Sequence, residues 1–162
     1  MNARAANAHV HGAAKMQIAI DGNSMEVELA FPLESLVGFE RTPRTDKERK
    51  TVQKMREQFN EPKAWLIPSV AAQCVPGKTE IHAPVLESKS KDSHGHGKHH
   101  EDEHAELEAV VTFHCAVPAA LKSMEVRLFD AFPRLQHLKA EIAAPGKQSG
   151  TTLDRKHRTL SW

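Results

Sequence analysis

The sequence predicts an α+β fold: a mostly antiparallel β-sheet with one main helix and a histidine-rich flexible loop between two strands. Three observations predict it. Runs in which apolar and polar residues alternate recur along the chain, beginning with Met16, Ile18 and Ile20. One capped segment, residues 45–59, carries the spacing of an amphipathic helix. The stretch from Glu87 to Glu106 holds six acids and three lysines. Such a segment buries too little apolar area to offset the ordering of its backbone. Runs of strands with one main helix belong to the α+β class.

The elements follow in order. Residues 1–8 are alanine-rich with no hydrophobic signal core, and read as a flexible N-terminus. Ala6-Asn7-Ala8 suits the end of a cleaved signal, and an alanine-rich stretch or a cloning remnant suits equally. Met16, Ile18 and Ile20 are followed by Asp21-Gly22-Asn23-Ser24 and then Met25, Val27, Leu29 and Phe31, a β-hairpin signature. Pairing Ile20 with Met25 sets Ile18 opposite Val27 and Met16 opposite Leu29, all on one face. A backward extension of this strand places His9 and His11 together on the opposite face. A connector over 32–44 contains Leu36-Val37-Gly38-Phe39-Glu40. Thr45-Asp46-Lys47-Glu48 is a capping box, and the helix it opens runs to about Phe59, with Val52, Met55 and Phe59 on one stripe.

Strands are expected over Thr79–Leu86 and Leu107–Cys115, presenting the histidine loop at their shared end. Further strands are expected at Met124–Leu128, Leu138–Ile142, Thr151–Leu153 and near Leu160, with a helical turn at Phe129–Pro133. Gly146-Lys147-Gln148-Ser149-Gly150 reads as a turn. The expected organisation is one domain over residues 1–162, with 87–105 as the histidine-rich loop. Cys74 and Cys115 lie on opposite arms of the loop-bearing hairpin. A disulfide is the preferred reading if the protein is exported; two buried thiols are the alternative. Parity does not bring the two cysteines opposite each other unless a bulge at Pro76-Gly77 restores the match.

Composition narrows the function. Twenty-two basic residues nearly cancel 21 acidic ones, so there is no general electrostatic case for nucleic acid. No apolar run approaches the roughly 20 residues that cross a bilayer, so no membrane insertion is expected. Against six Phe, two Trp and no Tyr stand 11 histidines. Five lie in the loop: His94, His96, His99, His100 and His104. With Glu101, Asp102 and Glu103 they offer more donors than the four a tetrahedral site takes. Neutral imidazole suits Zn2+, and Cu2+ and Ni2+ also. His9 and His11 are candidates for an auxiliary site. His82 and His114 read as structural, and His137 and His157 as surface residues. Arg155-Lys156-His157-Arg158 reads as a solvated strand face.

His100-Glu101-Asp102-Glu103-His104 matches the H-E-x-x-H of zinc peptidases and also its inverse. Matching both is what a run of histidines and acids does by chance. The peptidase motif also sits on a packed helix, whereas here a strand follows at once. A zinc metallopeptidase is therefore the minor alternative, beside a module that orders on metal so that a partner docks.

Several segments together resemble a known family. His9-Val10-His11-Gly12 leads into the hairpin, and Leu36-Val37-Gly38-Phe39-Glu40-Arg41-Thr42-Pro43 follows it. The histidine-rich insert lies between cysteine-bearing arms, and Arg127-Leu128-Phe129-Asp130-Ala131-Phe132-Pro133 comes near the end. This order is similar to the zinc-regulated, GTPase-associated periplasmic proteins of Gram-negative bacteria (the ZrgA-like family), over about His9 to Trp162. The resemblance implies a periplasmic, non-enzymatic zinc-binding protein with antiparallel sheets. It implies the insert as the main zinc-binding region, and an ABC zinc importer or its binding protein as partner.

Overall fold

The computed structural model of the chain describes residues 12–87 and 105–162. In chain order the elements are β1 (Ala13–Asp21), β2 (Ser24–Pro32), α1 (Leu33–Val37), α2 (Asp46–Phe59), β3 (Leu66–Pro68), β4 (Cys74–His82), α3 (Pro84–Glu87), β5 (Glu106–Cys115), β6 (Ser123–Val126), α4 (Leu128–Ala131), β7 (His137–Ala144), β8 (Lys147–Leu153) and β9 (Thr159–Ser161). Six strands form a mixed sheet in the order β4-β5-β2-β1-β7-β8, and three form a second sheet, β3-β6-β9. Neighbouring strands are antiparallel except β1 and β7, which run parallel. The fold is α+β, as the alternating strand runs and the lone capped helix predict.

The hairpin has the expected register, with Ile20 opposite Met25, Ile18 opposite Val27 and Met16 opposite Leu29. The same parity continues across the sheet: Val27 faces Val111 on β5, and Ile18 faces Ile142 on β7. All of these residues except half-buried Ile20 are buried on one face, while Lys15, Gln17, Glu26, Glu28, Glu108 and Glu141 are exposed on the other. The buried face packs on α2 through Val52, Met55 and Phe59, the predicted stripe. Phe59 is the hub. Its ring lies 5.5 Å from Phe31, 5.2 Å from Trp65 and 5.4 Å from Phe132. Each fully buried side chain of this size contributes about 1.5–3 kcal/mol.

The predicted capping box opens α2: the Glu48 amide donates to Thr45 Oγ1 at 3.1 Å, and the Thr45 amide to Glu48 Oε2 at 3.3 Å. Cys74 and Cys115 are disulfide-bonded and directly opposite each other in the β4–β5 ladder. The register shifts between Pro76 and Thr79, which is the bulge the parity argument requires.

Other expectations are corrected. The strand expected at Thr79–Leu86 runs Cys74–His82, because Pro84 opens the short α3 and ends the ladder. Leu128 leaves β6 and starts α4. Part of the 32–44 connector is helical, as α1. Residues 147–150 are strand, not turn; the turn is confined to Pro145-Gly146, where Gly146 has φ +72°. Arg155–Arg158 lies between β8 and β9 rather than on a strand face, held by Asp154, whose carboxylate accepts from the Lys156 and His157 amides at 2.7 and 2.8 Å.

Candidate metal-binding region

His9, His11, His94, His96, His99, His100, Glu101, Asp102, Glu103 and His104 lie outside the described residues. The structure shows instead where the fold holds the chain that carries them. The two ends of the expected 87–105 loop belong to the fold: Glu87 closes α3, and Ala105 is buried. Three chain ends matter, at Gly12, Glu87 and Ala105.

Gly12, Ala105 and the short α3 that ends at Glu87 all contact one short stretch. The Gly12 amide donates to the Ser35 hydroxyl on α1 at 3.2 Å, and Ser35 is 1% exposed. The Gly12 carbonyl accepts from the amides of Gln136 and His137 at 2.8 and 3.0 Å. Ala105 presents its carbonyl to the Leu33 amide at 2.7 Å, also on α1. In α3, the Val85 carbonyl accepts from the Thr42 hydroxyl at 3.0 Å. The anchors for the three ends are therefore Leu33, Ser35 and Thr42, within ten consecutive residues of sequence.

The connector is itself fixed by physical features that the sequence reading left unexplained. Gly38 caps α1 in the left-handed region at φ +88°, and its amide donates to Glu34 at 2.9 Å. Any side chain here would start 2.9 Å from the Arg134 guanidinium carbon. Phe39 is half-buried, and the Arg41 guanidinium lies 5.4 Å from its ring centroid. Arg41 then grips the Glu48 carboxylate with two donors at 3.0 and 2.7 Å. That grip, with the amides of Arg44 and Thr45, lowers the Glu48 carboxyl to about 2. Val-Gly-Phe-Glu-Arg-Thr is thus a clamp joining α1 to the first turn of α2. Sequence reasoning missed Ser35 and Thr42 because a hydroxyl that holds backbone leaves no periodic signal.

The histidines within the described residues are surface groups. His82 is exposed opposite Glu108, and His137 is exposed opposite Ala13 at the end of the sheet where Gly12 sits. His114 is also exposed rather than a core residue, with Nε2 3.2 Å from Asn23 Nδ2. His157 is exposed beside Asp154. Among the described residues no three His, Cys, Asp or Glu side chains are grouped to hold a metal ion. No described helix is long and apolar enough to cross a membrane. The disulfide is consistent with an oxidising, extracytoplasmic compartment.

No curated protein matches the chain. The profile of a zinc uptake family, ZrgA, matches residues 8–162. That family is one of zinc uptake and not a catalytic one, and it implies Zn2+ as the ligand. The match takes in the His9–Gly12 segment, the clamp, both cysteines and the histidine-rich stretch. The chain belongs to the ZrgA family of zinc uptake proteins.

Proposed function

We propose that this protein captures or buffers Zn2+ in the periplasm and supports zinc uptake by an ABC importer, with the importer or its binding protein as recipient. His94, His96, His99, His100 and His104 supply imidazole nitrogens, and Glu101, Asp102 and Glu103 supply oxygens and negative charge. These eight donors fall within 11 consecutive residues. A cation can therefore be held by alternative ligand sets and passed to a better-organised site. His9 and His11 act as auxiliary ligands.

The observation that carries this reading is the convergence of Gly12, α3 and Ala105 on residues 33–42. It supports a cooperative role for the two histidine groups, because His11 adjoins Gly12 in sequence and His104 adjoins Ala105. The anchors of those neighbours, Ser35 and Leu33, are two residues apart. The sheet and helix form the frame, and the histidine segments bring the ion.

Deleting residues 92–103 should leave the fold intact and remove most bound zinc in a calorimetric titration. Unchanged stoichiometry would overturn the ligand assignment. Replacing His9 and His11 by alanine should weaken zinc binding without abolishing it, since five imidazoles remain in the loop.

A further inference from the structure

The six-stranded sheet has two edges, and they are built differently. β4 at one edge carries Pro76, a register break before Thr79 and the charges of Lys78 and Glu80. These are the devices that stop a strand edge from recruiting another strand. β8 at the other edge has neither proline nor register break, and its single charge, Lys147, is its first residue. Its ladder with β7 is continuous from Ala144–Lys147 to Leu138–Leu153. Gln148, Ser149, Gly150, Thr151 and Thr152 are uncharged, and none is proline. Among the described residues β8 pairs with β7 alone. In an antiparallel ladder every second residue then turns its N–H and C=O outward, away from β7.

Gly150 is the second observation. Its backbone does not have the positive φ that calls for glycine. A Cβ there would meet only the Ala140 carbonyl oxygen at 3.4 Å and Glu141 Cγ at 3.7 Å, ordinary contacts. Internal packing does not require a glycine, and a glycine in mid-strand weakens a strand unless another backbone approaches closely.

We propose that β8 is the docking edge for a second copy of this chain, paired antiparallel about a two-fold axis at Gly150. The register follows from the sequence. Gln148 faces Thr152 of the second copy, Ser149 faces Thr151, Gly150 faces itself and Lys147 faces Leu153. No like charges meet, and the polar pairs can hydrogen-bond. Two six-stranded sheets become one continuous sheet, and the exposed edge is removed. A foreign strand would need a matching uncharged run, whereas this strand already matches itself.

Sedimentation equilibrium of the full chain, at low salt and in chelator so that zinc cannot bridge histidines, tests the pairing. Wild type should move from monomer to dimer between about 10 µM and about 1 mM. Q148E with T152E sets like charges in both facing pairs and should raise the dissociation constant at least about tenfold. Q148K with T152E sets opposite charges in both and should keep the dimer. T152E sits beside Lys139 in both variants, so the monomer is treated alike and only residue 148 differs. A wild type that stays monomeric to about 1 mM, or association that ignores the sign at residue 148, overturns the proposal.

Discussion

Two glycines touch the same arginine, and their contacts differ in kind. Gly12 has φ +79°, and a Cβ on it would lie 3.1 Å from the Arg134 backbone oxygen. Gly38 has φ +88°, and its Cβ would meet the Arg134 guanidinium. The left-handed conformation alone costs a non-glycine residue about 1–2 kcal/mol. A guanidinium on an exposed arginine can swing aside, but a carbonyl whose neighbours Gln136 and His137 are bonded to Gly12 cannot. Gly12→Ala should therefore destabilise more than Gly38→Ala in urea unfolding. Equal losses would mean that φ strain sets the whole cost and the Arg134 backbone yields. The same two contacts explain why one glycine ends the His9–Gly12 segment and another sits inside the clamp.

At the scale of elements, α2 is stabilised from its first turn. Thr45→Ala removes the hydroxyl that accepts from the Glu48 amide and should cost about 1 kcal/mol. Glu48 does more, because its carboxylate also accepts from Arg41 and the Arg44 amide. Its folded pKa, about 2, lies below the ordinary 4.5. A depressed carboxyl contributes stability that is present above its unfolded value and is lost as pH falls from about 4.5 to about 2. Melting temperatures across that window should fall less steeply in Glu48→Gln, and identical slopes would mean that the grip adds nothing. The capping box was legible because its four residues are contiguous, and the bulge because parity demanded it. The parallel pairing of β1 with β7 was not, since it joins segments more than 100 residues apart. β3 is three residues long, too short for a period to show, whereas β9, equally short, lies where a strand is expected near Leu160. Within β8, Thr151–Leu153 is legible as strand, but residues 147–150 resemble a turn because they are small and polar, as suits an edge with little core to cover.

For the whole molecule, the disulfide and the histidine anchors lie at opposite ends of β5. Cys115 is its last residue, and Ala105, held by Leu33, precedes its first. Ten residues of strand separate them by roughly 30 Å. The proposed donors stand out as composition, since histidines and acids crowd one stretch. The common anchorage of the neighbouring chain was not legible, because the hydroxyls of Ser35 and Thr42 and the amide of Leu33 hold backbone groups distant in sequence. The disulfide thus locks one end of the strand, and the chain leading to the proposed zinc-binding segments is anchored at the other. The disulfide closes a span of 41 residues, and its loss should cost about 2–4 kcal/mol, mostly by freeing the unfolded chain. The variant with both Cys74 and Cys115 replaced by serine should therefore melt at a lower temperature, yet titrate with the same zinc stoichiometry while folded. Calorimetry below its melting range checks this. A loss of bound zinc in parallel with the loss of stability would show that the two ends of the sheet are coupled.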